Sequence, residues 1–167
     1  AMVQYSGLRF WQDTGARDRA IDRLLALRAG LAQNVSPNNK QDSFHLATWN
    51  IRDFGGHRLN PSPRLPETLL YIAEVISAFD LVAVQEVNED MAEFQQVMRL
   101  LGPHWDYIVT DQSGNMERLA FVFDTRKIRF RHMAGEIVLP AKKGVDQPQF
   151  NRTPFLVAFQ AGWFKFN

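Results

Sequence analysis

The sequence contains no cysteine, and this absence limits the kinds of site that the chain can build. Without thiols, neither a disulfide framework nor a thiolate metal centre can form, and cysteine usage leaves the compartment open. No apolar run approaches the roughly 20 residues that a helix needs to cross a bilayer, so the sequence predicts no membrane span. The N-terminal residues also lack the charged-then-apolar pattern of a secretory signal.

An excess of charge of either sign is also absent. The chain has 19 Lys and Arg residues against 18 Asp and Glu residues, which gives a formal net charge of +1. Global attraction to a polyanion is therefore weak, and any phosphate binding must be local. Apolar residues, in contrast, are plentiful: the 167 residues are 46% hydrophobic, which is enough to bury one substantial core.

Hydrophobic periodicity and turn residues predict an alternation of helices and strands, followed by strands alone. The predicted helices cover 16–33, a segment that begins at Pro66, and 89–101, and the predicted strands cover 44–50, 80–86, 105–111, 118–124, 127–133, 135–140 and 155–166. Consecutive strands joined by short turns favour an α/β (α+β) fold with a mixed, largely antiparallel sheet and helices on one face. A doubly wound dinucleotide fold is disfavoured, because "FGGH" after the first strand is not the G-x-G-x-x-G phosphate loop.

Three local features refine this outline. In the first helix, Ile21, Leu24 and Leu25 share one stripe, which predicts that they are buried. Asn88 is placed to cap the third helix, because its side chain can accept hydrogen bonds from the first free backbone N–H groups. Gly114 and Asn115 predict a hairpin-like turn before the next strand.

Polar side chains stand at the ends of three predicted strands. Asn50 ends the first strand, Glu86 ends the second, and Glu117 opens the strand after the predicted turn. If the first two strands are neighbours, an amide lies beside a carboxylate, and such oxygen donors suit Mg²⁺, which needs few protein ligands. The alternatives are ordinary: Glu86 as a solvated strand end, Asn50 as a turn residue and Arg152 as a surface charge.

Four motifs occur in order along the chain: "TWNIRDFG", "DLVAVQEV", "ERLAFVFD" and "NRTPF". Together, over 44–158, they resemble the endonuclease/exonuclease/phosphatase superfamily, and within it most the deoxyribonuclease I-like branch. The resemblance implies that 1–43 form an N-terminal helix and linker outside the family domain. It implies that 44–167 form the N-terminal half of such a domain, which is half of a four-layer α/β sandwich.

The resemblance also implies roles for individual residues. Glu86 matches the family's magnesium-binding glutamate, and Asn50 matches the asparagine beside the metal and the scissile phosphate. Arg52 and Arg152 match arginines that contact the substrate phosphate. Glu117 matches the acid that holds a catalytic histidine by a hydrogen bond. The implied catalytic residues are therefore Asn50 and Glu117, and the implied metal ligands are Glu86 and Asn50.

The activity that the resemblance implies is Mg²⁺-dependent hydrolysis of phosphodiesters by in-line attack of water. A non-specific endonuclease that acts on nucleic acid, above all DNA, is the leading interpretation. The family's histidine and aspartate motifs, of the types T-x-H, G-D-x-N and S-D-H, do not occur in the sequence. We therefore expect this chain to be an inactive, truncated half of an enzyme that self-associates through the sheet face left uncovered by the missing half.

Two other functional classes stay open. One is a phosphatase acting on phosphoinositides or other small phosphates, and the other is a catalytically dead module that binds phosphate or nucleic acid. Asn88 follows "QEV" where the branch can carry an arginine that enters the minor groove of DNA. This departure weakens the assignment of duplex DNA as the substrate. It leaves contacts to the nucleic-acid backbone as the main means of recognition.

Overall fold

The computed structural model of the chain describes residues 3–36, 43–56, 59, 63–112, 116–141, 143–144 and 148–167. The described elements, in chain order, are a 3₁₀-helix (Ser6–Phe10), α1 (Thr14–Asn34), β1 (Leu46–Phe54), α2 (Pro66–Ser77), β2 (Leu81–Val87), α3 (Ala92–Leu101), β3 (Trp105–Val109), β4 (Arg118–Asp124), β5 (Ile128–Glu136), β6 (Phe155–Ala161) and β7 (Phe164–Phe166). Helices combined with one mixed and one antiparallel sheet confirm the predicted α+β class. The turn predicted at Gly114 and Asn115 lies outside the described residues.

The first sheet has the strand order β1-β2-β4-β3. β1 and β2 are parallel, which requires a crossover between them, and α2 lies in that connection. β4 pairs antiparallel with β2 on one side and with β3 on the other. The polar residues near the ends of β1 and β2 therefore emerge at one end of the sheet, next to the beginning of β4.

The remaining strands form a second, antiparallel sheet in the order β5-β6-β7, where the sequence predicted a single sheet. The strands predicted over 127–133 and 135–140 are one strand, β5, with an irregularity around His132 at φ 57°. The strand predicted over 155–166 is instead the hairpin of β6 and β7, because Gly162 at φ 56° lies in the turn that reverses the chain.

The two sheets pack face to face. Phe159 of the second sheet contacts Phe121 and Phe123 of the first, with ring centroids 5.5 and 5.3 Å apart in edge-on arrangements. Leu81 and Ile128 are buried in the same cluster. The second sheet therefore covers the first at these residues, on a face that we expected to be uncovered. Self-association of the chain stays a prediction.

The opposite face of the first sheet is covered by helices, as predicted. Ile72 and Ile76 of α2 and Val97 of α3 pack with Val82 and Val122 in one buried cluster. Because successive residues of a strand point to opposite faces, β2 is in contact with helices on one side and with the second sheet on the other.

α1 lies against α2, outside the layer that covers the sheet, and this placement decides which of its residues are buried. Ala20 and Leu24 are buried in a small cluster with Leu70. Ile21 and Leu25, which the sequence placed on the buried stripe, are 38% and 60% exposed. A helix that meets one neighbour buries only a narrow stripe, so the prediction was wrong for these two residues. No described helix, α1 included, is apolar over enough residues to cross a membrane.

Ion pairs join α1 to α2. Arg19 donates two hydrogen bonds to the Glu67 carboxylate, at 3.3 and 2.8 Å, and Arg23 lies 3.5 Å from the same carboxylate. Arg28 pairs with Glu74 at 3.2 Å, and burial raises the pKa of the Glu74 carboxyl. The arginine partners lower the free-energy cost of burying the Glu67 and Glu74 carboxylates between the helices.

The start of α2 agrees with the sequence prediction, whereas the start of α3 does not. Pro66 occupies the first turn of α2, as predicted, because its fixed φ suits that position. α3 begins at Ala92, whose backbone N–H donates to Oδ1 of Asp90 at 2.8 Å. Asn88 is buried and does not cap the helix, so this part of the prediction was wrong.

Two glycines after β1 allow the chain to approach neighbouring groups closely. Gly55 has φ 74°, and a Cβ added there would lie 1.9 Å from the backbone oxygen of Asp90. A Cβ added at Gly56 would lie 1.8 Å from Oδ1 of Asp53. The backbone oxygen cannot move aside as the end of a flexible side chain can. Gly55 is therefore required by packing.

Replacing Gly55 with alanine should destabilise the protein by about 2–4 kcal/mol, because the strain of a positive φ adds to the clash with Asp90. Chemical denaturation followed by circular dichroism measures this change. The control is Gly30→Ala in α1, where nothing lies within 4 Å of the added Cβ. There the helix preference of alanine should add about 0.5–1 kcal/mol of stability. Equal effects of the two substitutions would contradict the close approach at Gly55.

Candidate functional site

β1 and β2 lose their regular pairing where the predicted site residues lie. The pairing is in register up to Asn50 and Gln85 and resumes at Phe54 and Val87, so three residues of β1 face the single residue Glu86. This bulge extends β1 to Phe54, beyond the end predicted at residue 50. Bulges are common next to active sites because they redirect side chains and terminate regular pairing.

The backbone of the bulge is strained. Arg52 and Asp53 have φ 57° and φ 54°, and Glu86 opposite them has φ 61°. Left-handed conformations of this kind cost about 1–3 kcal/mol for each residue that carries a Cβ. They persist only where surrounding contacts hold them, and they are concentrated at functional sites.

The hydrogen bonds of the bulge converge on the Glu86 carboxylate. Nδ2 of Asn50 donates to Oε1 at 2.7 Å, and the backbone N–H of Asp53 donates to Oε2 at 3.2 Å. Oδ1 of Asn50 accepts a hydrogen bond from the backbone N–H of Arg52 at 3.0 Å. The bulge therefore orients the Asn50 amide and, together with it, the Glu86 carboxylate.

Arg152 joins the two glutamates of the site. Its Nη2 lies 3.7 Å from Oε1 of Glu86 and 3.3 Å from Oε2 of Glu117. The Arg152 side chain is 58% exposed, whereas the side chains of the glutamates are 18% and 19% exposed. An ion pair with such an exposed partner contributes about 0–1 kcal/mol, so the guanidinium can exchange these carboxylates for another anion at small cost.

A surface pocket of about 250 Å³ brings these groups together. Its polar lining includes Glu86 of β2, Glu117 directly before β4, and Glu136 at the end of β5. Arg152 and Thr153, just before β6, complete the side formed by the second sheet. The pocket therefore lies where the two sheets meet, and three carboxylates and two arginines, Arg118 and Arg152, belong to its lining.

The structure brings together Asn50, Glu86, Glu117 and Arg152, which are four of the residues proposed from the sequence. Arg52 is different, because only its backbone takes part in the hydrogen bonds of the bulge. Its side chain is exposed and forms no ion pair with any residue that the structure describes.

The residues that support the bulge from the interior were not among those predicted from the sequence. Asp53 is buried, and its carboxylate accepts hydrogen bonds from Nδ2 of Asn88 and from the backbone N–H of Leu59, both at 2.9 Å. Arg64 donates to two backbone oxygens of the bulge at 3.0 and 2.6 Å. An aspartate directly before "FGG" was a signal that could have been used, whereas nothing in the sequence marks Arg64.

The donor atoms of the site suit a hard cation that needs few protein ligands. Within the described ranges, no group of three or more His, Cys, Asp and Glu side chains could hold a metal ion. Glu86 offers carboxylate oxygens, and Asn50 turns its nitrogen toward them and its oxygen toward a backbone N–H. Mg²⁺ binds through one or two carboxylates, because waters and substrate oxygens complete its shell. Glu86 therefore fits Mg²⁺, and the site does not fit a closed zinc centre.

Known structures share the fold, although sequence comparison finds no relative. No protein-family model and no curated protein matches the chain. The crystal structure of ANGEL2, a 2′,3′-cyclic phosphatase, is similar over 71% of this chain and 37% of ANGEL2, with a TM-score of 0.52 and 17% sequence identity. The chain shares the fold of the part of ANGEL2 that it covers, which supports the resemblance to the endonuclease/exonuclease/phosphatase superfamily. At this identity the likeness shows the fold alone.

Two other solved structures match the chain with lower TM-scores. Humanized D. rerio TDP2 is 16% identical in sequence, with a TM-score of 0.48. The match covers 73% of this chain and 46% of the TDP2 chain. The mannosyl-6-phosphatase Bt3783 of Bacteroides thetaiotaomicron VPI-5482 is 20% identical in sequence, with a TM-score of 0.46. The match covers 70% of this chain and 43% of the Bt3783 chain. The chain thus spans less than half the length of all three structures.

Asn88→Ala tests the interior support of the bulge. The substitution removes a buried hydrogen bond to the Asp53 carboxylate, so the free energy of unfolding should fall by about 1–3 kcal/mol. The control Asn34→Ala removes an exposed amide hydrogen bond to the Gly30 oxygen and should cost less than about 0.5 kcal/mol. Urea denaturation of both variants gives the comparison. Equal small losses would mean that the buried bond between Asn88 and Asp53 does not support the fold.

Proposed function

We propose that the pocket between Glu86, Glu117 and Arg152 binds a phosphate ester together with Mg²⁺, and that the whole protein is a phosphoester hydrolase. The observation that carries this proposal is the Glu86 carboxylate, which is held on both oxygens and lies beside an exposed arginine in one pocket. The oriented Glu86 carboxylate would hold the metal ion, and the Arg152 guanidinium would bind the phosphate of the substrate.

Each residue of the site has a distinct proposed task. Glu86 is the cation ligand, and Asn50 orients it through the hydrogen bond at 2.7 Å. Arg152 binds the phosphate, because its planar set of donors matches two phosphoryl oxygens. Glu117 lies 3.3 Å from Arg152 and directs the guanidinium toward the pocket until a phosphate replaces the carboxylate. Arg52 contacts a phosphate from outside the pocket.

Hydrolysis makes further demands on the site. A bound Mg²⁺ would stabilise the charge that develops on the phosphoryl oxygens. A positioned acid or base must also move a proton between water and the leaving group. The histidines of the described ranges, His45, His104 and His132, do not line the pocket. We therefore propose binding of cation and phosphate for this chain, and hydrolysis for the whole protein.

A nucleic-acid backbone is the proposed substrate class, in a non-specific endonuclease. Arg152 lines the pocket and Arg52 is exposed outside it, so we propose that the two arginines contact different phosphates of the nucleic-acid backbone. Asn88 stands at the position where a groove-reading arginine can occur, and it is buried behind the bulge. Contacts to the backbone are then the main means of recognition. A small phosphate monoester, which would bind in the pocket and not reach Arg52, is the alternative substrate.

Glu86→Gln should abolish binding of Mn²⁺, used as a probe for the Mg²⁺ site, and leave the fold intact. The amide keeps the size of the side chain but lacks the charged oxygen that a hard cation requires. Isothermal titration calorimetry measures the affinity, and circular dichroism checks the fold. Glu136→Gln is the matched control, because it removes a carboxylate from the same pocket and should retain binding. Undiminished Mn²⁺ binding in Glu86→Gln would exclude Glu86 as the ligand.

Two arginine variants distinguish a nucleic acid from a small phosphate. With Mg²⁺ present, Arg152→Gln should weaken binding of both inorganic phosphate and a DNA oligonucleotide by about tenfold, because a charged hydrogen bond is lost. Arg52→Gln should weaken only the oligonucleotide, and should reduce the slope of log K against log salt by about one. Fluorescence anisotropy and calorimetry give these affinities. If Arg52→Gln binds the oligonucleotide like the wild-type protein, the small-phosphate alternative is preferred.

A further inference from the structure

Arg64 directs its side chain at the backbone of the bulge. Its Nη2 donates to the oxygens of Ile51 and Arg52 at 3.0 and 2.6 Å, and its side chain is only 18% exposed. The guanidinium carbon also lies 5.3 Å from the centroid of the Phe54 ring, at the end of the bulge. One arginine thus contacts the chain before, within and after the strained residues.

Glu93 of α3 holds Arg64 in place. Its Oε1 accepts a hydrogen bond from the backbone N–H of Arg64 at 2.6 Å, and its Oε2 lies 3.8 Å from Nε. The Glu93 side chain is 17% exposed. α3 is itself packed into the core through Phe94 and Val97. The position of Arg64 is therefore determined by a helix that belongs to the core.

The two peptides that Arg64 binds are the ones that orient the site. Arg64 binds the oxygen of Ile51, and the N–H of that same peptide donates to Oδ1 of Asn50. Arg64 also binds the oxygen of Arg52, and the N–H of that peptide donates to Oε2 of Glu86. A peptide unit is planar, so an oxygen held on one side determines the direction of the N–H on the other.

We propose that Arg64 is a positioning residue of the cation site. Through two rigid peptides, it sets the direction of the N–H groups that orient Asn50 and Glu86. This inference rests on the proposed function, because it concerns how the Glu86 carboxylate is presented to a cation. A guanidinium suits the task, since it presents several donors in one plane, whereas the ammonium of lysine is a compact point charge.

Arg64→Gln and Arg64→Lys test this role. Arg64→Gln removes both hydrogen bonds from the guanidinium to the peptide oxygens. Arg64→Lys keeps the positive charge but lacks the planar set of donors. We expect Arg64→Gln to bind Mn²⁺ about tenfold or more weakly than the wild-type protein, as is usual when a group that orients a metal ligand is lost. Arg64→Lys should be intermediate. Calorimetry is performed at a temperature at which circular dichroism shows each variant to be folded.

A second measurement needs no metal. The NMR signals of the Asn50 side-chain amide report its hydrogen bond to Glu86, and they should shift in Arg64→Gln. Arg19→Gln is the matched control, because it removes an arginine that also donates two hydrogen bonds, here to Glu67 between α1 and α2. It should lower the melting temperature and leave both the Mn²⁺ affinity and the Asn50 signals unchanged.

The outcomes separate this inference from the proposed function. Wild-type Mn²⁺ affinity and unchanged Asn50 signals in folded Arg64→Gln would overturn the role of Arg64, while loss of binding in Glu86→Gln would still support the cation site. If Arg64→Gln does not fold, Arg64→Lys decides, and wild-type values in that variant overturn the role. If the wild-type protein binds no Mn²⁺, the cation site fails and the role of Arg64 fails with it.

Discussion

Glu86 is oriented by hydrogen bonds that exist because β1 bulges opposite it. In a regular ladder, backbone N–H groups donate to backbone oxygens of the next strand. Here three residues of β1 face one residue of β2, and this mismatch lets the Asn50 amide and the Asp53 N–H reach a single carboxylate. The cost is strain of about 1–3 kcal/mol for each residue in the left-handed region, and the surrounding structure must offset it.

Several neighbouring contacts provide that support, and they come from different parts of the chain. Asn88 satisfies the buried Asp53 carboxylate, and Arg64 binds the backbone oxygens on the other side of the bulge. Gly55 lets the chain after the bulge approach the loop before α3. The packed core holds these groups in place, so several independent contacts fix the backbone of the bulge. Backbone strain persists under this condition.

The position of the site between two sheets explains how a chain with a net charge of +1 can place an arginine beside two carboxylates in one pocket. β1 and β2 bring Asn50 and Glu86 together, and the beginning of β4 brings Glu117 beside them. Arg152 comes from the segment that leads into the second sheet, and its charge lies against two carboxylates. The local arrangement of charge, and not its total, therefore determines what this surface can bind.

The sequence by itself determined the α+β class and the helix that begins at Pro66, and it marked Asn50, Glu86 and Glu117 as polar residues near the ends of strands, because periodicity and polarity are local properties of the chain. Only the tertiary structure decided that the strands form two sheets, that Asn88 is buried instead of capping a helix, and that α1 leaves Leu25 exposed. Each of these outcomes depends on which segment, distant in the sequence, packs against the residues concerned. Arg64 is the clearest case, since its partners in the bulge are set by the path of the folded chain and no local pattern encodes them.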